Sequence, residues 1–119
     1  MVYRLKVNER VAAVRSEARG SVLDYSGRIV AMPTERSVMV RFADGAIESK
    51  QAHPDFVQSM EKAIRVARVF RRAEPDLDPT EPNIAATLAG SPLEPDFFDI
   101  RRAAWVIRHS PADLEGGDR

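Results

Sequence analysis

The sequence predicts an α+β protein, a small curled antiparallel sheet packed against an amphipathic helix, with a helical segment at the C-terminal end. Three observations lead there. Residues 20–51 run as short apolar-polar alternations divided by turn residues, the period of a half-buried sheet. From Asp55 to Arg72 the apolar positions fall three and four residues apart, the period of a helix with one buried face. A second such run spans Phe97 to His109.

In chain order, the spacing of Val11, Ala12, Val14 and Ala18 predicts a short helix from Glu9 to Arg19, with Asn8 as cap and Gly20 as stop. The competing strand at 11–16 would set Val11, Ala13 and Arg15 on one face. Four strands then follow. Ser21–Tyr25 ends at Ser26-Gly27, and Arg28–Met32 is closed by Pro33-Thr34-Glu35-Arg36. Ser37–Phe42 sets Val38, Val40 and Phe42 on one face, and Ala46–Lys50 returns. Between the last two, Ala43-Asp44-Gly45 is the strongest turn signal, because Asp and Gly tolerate the backbone angles of a tight hairpin. A meander this small must curl to bury its face, so a barrel or half-barrel is expected.

His53-Pro54-Asp55 opens the helix at 55–72, where proline suits the first turn and an acid suits the positive end of the dipole. Its inward stripe is Phe56, Met60, Ala63, Ala67 and Phe70, with Val57 and Ile64 alongside. Residues 74–82 carry three prolines among acids and read as a linker. Asp76, Asp78 and Glu81 echo a cation loop, but the prolines break the spacing such a loop needs. A short helix is expected from Asn83 to Ala89 and a longer one from Phe97 to His109, after Asp96. The expected organisation is a basic sheet-plus-helix domain at 1–73, the linker at 74–82, a helical segment at 83–109 and a fraying tail at 110–119.

Charge divides along the chain although it balances overall, at eighteen Lys+Arg against eighteen Asp+Glu. Residues 1–72 hold fourteen bases and eight acids, and residues 73–119 hold four bases and ten acids. Such a split suggests a basic part that meets an anion and an acidic part that covers or balances it. Lys62, Arg65, Arg68 and Arg72, spaced by three, three and four residues, form a stripe on the helix that could follow a phosphate backbone, and Arg71 is a further candidate beside them. The same stripe reads also as a solvated face paired with acids on residues 74–99, which explains the balanced charge with no ligand. Arg28 and Arg41 add positive charge on the sheet rim, and Phe98 and Trp105 offer aromatic anchors for a partner.

Composition excludes several chemistries. With no cysteine there is no disulfide, no thiolate metal site and no cysteine nucleophile. His53 and His109 stand far apart in sequence, without a serine or acid in a triad order. No phosphate-binding glycine loop and no nucleophile elbow is present. The N-terminus lacks the apolar run of a signal peptide, and no stretch approaches about 18 uncharged apolar residues. A cytoplasmic location is expected.

The segment Val22-Leu23-Asp24-Tyr25-Ser26-Gly27-Arg28-Ile29-Val30, followed by Val38-Met39-Val40-Arg41-Phe42-Ala43-Asp44-Gly45, resembles small SH3-like barrels of the Tudor or KOW kind. The resemblance implies an SH3-like half-barrel that binds nucleic acid or peptide and is not a catalyst. The glycine-framed motif of true KOW segments is not clearly present, which weakens the implied nucleic-acid role. The expected function is therefore a non-enzymatic binding or accessory protein, of the sort a phage or plasmid carries. It would meet nucleic acid or a partner protein through the basic helix and the sheet rim, with no cofactor, no metal and no membrane. The alternative is a self-assembling structural subunit whose acidic C-terminal helix meets the basic helix of a neighbour. A small enzyme stands third.

Overall fold

The computed structural model describes residues 4–18 and 20–115. It is α+β, with five antiparallel strands followed by three helices. The strands are β1 (Arg10–Glu17), β2 (Gly20–Thr34), β3 (Ser37–Arg41), β4 (Ile47–Gln51) and β5 (Val57–Ser59). The helices are α1 (Glu61–Ala73), α2 (Glu81–Thr87) and α3 (Phe97–His109), with a 3-10 turn at Pro111–Leu114. The chain forms two compact units, Met1–Glu61 and Lys62–Arg119.

The first unit is the sheet, in the order β4-β3-β2-β1-β5. β4 and β5 are both edges, so the sheet does not close into a barrel. One face carries the core: Leu5, Val11, Ala13, Ile29, Val38, Val40, Phe42 and Val57, each 6% exposed or less. Fully burying an aliphatic side chain contributes about 1.5–3 kcal/mol, which makes this face the main source of stability in the unit.

Three sequence expectations change here. The helix expected over 9–19 is strand β1, which pairs with β2 on one side and β5 on the other. Asn8 is not a helix cap. It sits at φ 75° in a turn and donates its N–H to the Ile29 carbonyl at 2.7 Å. Pairing on both sides over Val11–Ala13 holds this part of β1 extended, and the alternation of Val11 and Ala13 serves the core. The second change is at Ser26-Gly27, expected to be a turn between two strands. These residues lie inside the single fifteen-residue β2. The register with β1 shifts there, between Val11 and Ala13. A Cβ on Gly27 would stand 2.8 Å from Val40 Cγ1 and 3.1 Å from Val11 Cγ2. Glycine is required at this point for close approach of three strands, not for reversal.

The third change is the start of the helix. His53 to Phe56 form a turn, in which Phe56 and Val57 donate their N–H groups to the His53 carbonyl at 2.9 and 3.0 Å. Val57–Ser59 then pair with β1 as β5, and α1 begins only at Glu61. Phe56, expected on the buried stripe, is exposed. The hairpin at Asp44-Gly45 forms as expected. Gly45 takes φ 90° and donates to the Phe42 carbonyl, while Phe42 donates to the Ala46 carbonyl, both at 2.9 Å. Asp44 Oδ1 accepts the Ala46 N–H at 3.0 Å, closing the loop.

The second unit is helical. α1 buries Ala63, Ile64, Val66, Ala67 and Phe70. α2 is capped by Thr80, whose hydroxyl accepts the Asn83 N–H, and it buries Ile84. α3 opens with a capping box in which Asp96 and Asp99 accept each other's backbone N–H. Hydrogen bonding from the Asp99 N–H holds the Asp96 carboxyl below the usual carboxylate range. Ala103, Val106 and Ile107 form the buried face of α3. Of the tail expected to fray at 110–119, residues 110–115 make an ordered turn in which Ser110 donates its hydroxyl to Asp113 at 2.5 Å. Residues 116–119 lie outside the described residues.

Candidate anion-binding surface

The two faces of the sheet treat arginine differently. On β1 the core alternation Val11, Ala13 continues to Arg15, so this arginine lies over the end of the core. Its guanidinium stands 4.6 Å above the centre of the buried Phe42 ring. Nη2 donates to Asp44 at 2.6 Å, Nη1 donates to Asp24 at 3.2 Å, and Nε is 3.5 Å from Glu48. Glu48 also accepts from Lys50 at 2.7 Å. Hydrogen bonding to Asp44 first, then to Asp24, raises the Arg15 pKa still further above neutral. The same bond, with the Ala46 N–H, holds Asp44 below the usual carboxylate range. Asp24 is fixed in turn by Ser26, whose N–H and hydroxyl it accepts, and the Ser26 oxygen accepts the Ala43 N–H. This cluster sets two cations against three carboxylates and ties β1, β2, β4 and the hairpin loop together.

The opposite face carries a row of bases. The register sets Arg10 opposite Arg28, Arg28 opposite Arg41, and Arg41 opposite Ile47. Each arginine alternates with a buried neighbour, Val11, Gly27 and Ile29, or Val40 and Phe42, so all three point away from the core. Directly opposed residues on adjacent strands have Cβ atoms about 4.5–5.5 Å apart, and like charges at that distance repel. Arg28 Nη1 donates to the Asn8 carbonyl at 2.6 Å, and Arg10 Nε to the Gly27 carbonyl at 3.3 Å. Arg41 is exposed. Among the described residues neither Arg28 nor Arg41 has a carboxylate within ion-pair distance. Two arginines at directly opposed positions, with no carboxylate paired to either among the described residues, suit the bidentate chemistry of phosphate.

In the second unit the α1 bases divide. Lys62 pairs with the buried Asp99 at 3.3 Å and reaches the Glu94 carbonyl at 3.4 Å. Arg68 donates to the Asp113 carbonyl at 2.8 Å. Arg71 folds back over the end of α1 and donates to the carbonyls of Glu74, Pro75 and Leu77 at 2.9–3.0 Å. Such contacts neutralise the negative end of the helix dipole. Arg65 and Arg72 are exposed and have no partner among the described residues. The charge split seen along the chain also changes meaning. Divided at the compact units, residues 1–61 hold nine bases and eight acids, and 62–119 hold nine bases and ten acids. α1 and the acids that follow it belong to one unit and balance within it.

The aromatic candidates also separate. Phe98 is exposed beside Phe97, their rings edge to face at 5.6 Å, with Arg101 over Phe97 at 4.4 Å. Trp105 is half-buried, two turns along α3, with its ring 5.1 Å from that of His109. Among the described residues no group of three or more His, Asp or Glu could hold a metal ion, and no helix is long and apolar enough to cross a membrane. Compared with protein-family models, curated proteins and solved structures, the chain matches none.

Sequence reading chose Arg28 and Arg41 as rim charges but missed their juxtaposition and missed Arg10. The signal for Arg10 was present in the alternation of β1, where it stands out of phase with Val11 and Ala13.

Proposed function

We propose that this protein is a non-enzymatic module that holds a nucleic-acid backbone through Arg10, Arg28 and Arg41. The observation that carries the reading is the direct opposition of Arg28 and Arg41, with no carboxylate on either among the described residues. A phosphate seated between them would relieve their repulsion and accept from both forks. The row contains no aromatic side chain, so it favours phosphate contacts over base stacking and predicts little sequence preference. A meander whose fifth strand pairs with the first is compatible with the SH3-like likeness.

The test is binding of fluorescent single-stranded and duplex oligonucleotides to the intact chain over a range of salt. Log affinity should fall with log salt by about 0.9 per neutralised phosphate on duplex DNA and about 0.7 on single strands. Replacing Arg28 and Arg41 together with Gln should remove about two contacts from that slope. Absence of binding at low salt overturns the reading. Binding that survives in this double variant and is lost on replacing Arg65 and Arg72 moves the site to α1.

A protein partner is the second reading, favoured by the exposed Phe97–Phe98 pair and its covering arginine. A binding partner captured by the wild type and lost in Phe97→Ala/Phe98→Ala would select it.

A further inference from the structure

The edge strand β4 has an unused, self-complementary pairing surface. Its ladder with β3 runs over five pairs without a register shift, whereas β2 carries irregularities on both sides. The strand is Ile47-Glu48-Ser49-Lys50-Gln51, with no proline and no bulge to blunt it. The bonds Phe42 N–H to Ala46 O and Ala52 N–H to Arg36 O fix which pairs exchange hydrogen bonds with β3. By alternation these continue at Glu48 and Lys50, so the backbone groups of Ile47, Ser49 and Gln51 point outward from the sheet. Among the described residues the N–H and C=O of Ile47 and Ser49 have no partner, and Gln51 uses its carbonyl for the His53 N–H at 2.8 Å. All three side chains on this phase are exposed.

We propose that β4 pairs with β4 of a second copy, antiparallel, about a two-fold axis at Ser49. In that register Ser49 faces Ser49 of the other copy and exchanges both backbone hydrogen bonds with it. The Gln51 N–H meets the Ile47 carbonyl of the other copy, and the pairing stops where the Gln51 carbonyl is already taken. Glu48, which already holds Lys50 of its own strand at 2.7 Å, also falls opposite Lys50 of the other copy in both directions, a close non-hydrogen-bonded pair of opposite charges. Any shift of one or two residues loses this match, so charge specifies the register as well as the partner. The two-fold axis lies perpendicular to the sheet and keeps both outward faces on one side. The dimer would present two Arg10–Arg28–Arg41 rows on one continuous sheet. That last consequence rests on the proposed nucleic-acid reading, while the dimer itself does not.

Five paired residues form a small interface of the weak, transient class, so the association should be read by sedimentation without nucleic acid, up to about 1 mM protein. The weight-average mass should rise from monomer toward dimer with concentration. Ser49→Pro removes only an outward N–H, which an edge strand tolerates, and should abolish the rise while leaving the circular dichroism spectrum unchanged. Lys50→Glu and Glu48→Lys should each be monomeric alone and associate when mixed, because each supplies the charge the other lacks. A wild type that stays monomeric over the whole range overturns the proposal. So does self-association that Ser49→Pro leaves intact, or a mixture that stays monomeric while the wild type associates. None of these results depends on whether the chain binds nucleic acid.

Discussion

Arg15 and Arg41 stand on the same sheet and meet opposite surroundings. Arg15, on the core face, has three carboxylates and an aromatic ring around it. Arg41, on the other face, has Arg28 directly opposite and no carboxylate among the described residues. One residue type thus does two jobs, set by which phase of the strand it occupies. The first closes the structure, because its charge is used up within the fold. The second leaves charge unspent, and unspent charge held in register is what a ligand can use. The contrast recurs on α1, where Arg71 is absorbed by three carbonyls and Arg65 and Arg72 are not.

The largest effect expected is at the base of the Arg15 cluster. Phe42→Ala removes a fully buried ring and the surface on which the guanidinium rests, and should cost about 3–5 kcal/mol in chemical denaturation. Arg41→Ala, at the opposite pole of the comparison, should change stability by no more than about 0.5 kcal/mol. If the two variants melt alike, the faces are not distinguished as described.

Next is Gly27, where the core face depends on one close approach of three strands. Gly27→Ala drives a methyl group into Val40 and Val11 and should cost about 1–3 kcal/mol through overpacking. A midpoint equal to wild type would show that the strands separate there without penalty. Gly45→Val tests the hairpin that carries Asp44 to Arg15. Its φ of 90° admits a branched side chain only with strain, at about 1 kcal/mol or more.

The smallest effect is a pH dependence. Asp44 and Asp96 both lie below their ordinary value of 3.8 in the folded chain. In acid the unfolded chain therefore binds more protons than the folded one. Their contribution is fully present above that ordinary value and is lost as pH falls through the lower folded values. Acid unfolding of Asp44→Asn should depend less steeply on pH below about 4 than that of the wild type. An unchanged pH profile would mean that the Arg15–Asp44 bond does not favour the ionised carboxylate.

Sequence alone determined whatever depended on neighbouring residues. Asp44-Gly45 turned where expected because a positive φ and an Asp side chain close the loop locally. α3 began at Phe97 because Asp96 and Asp99 cap each other across one turn, and ended at His109 as its pattern ran out. The alternation of Val38, Val40 and Phe42 gave their shared face. Tertiary structure decided what depended on distant partners. Residues 10–17 hold both helical and strand spacings, and pairing with β2 and β5 chose between them. Gly27 looks like a turn glycine until Val40 and Val11 are seen against it. Pro54 and Asp55 look like a helix start until Val57 pairs with β1. The candidate site divides in the same way. Arg28 and Arg41 were visible as charges, but thirteen positions separate them in the chain, and only the β2–β3 register sets them face to face. Local chemistry fixes turns and caps at a range of three or four residues, while register is a property of two strands at once.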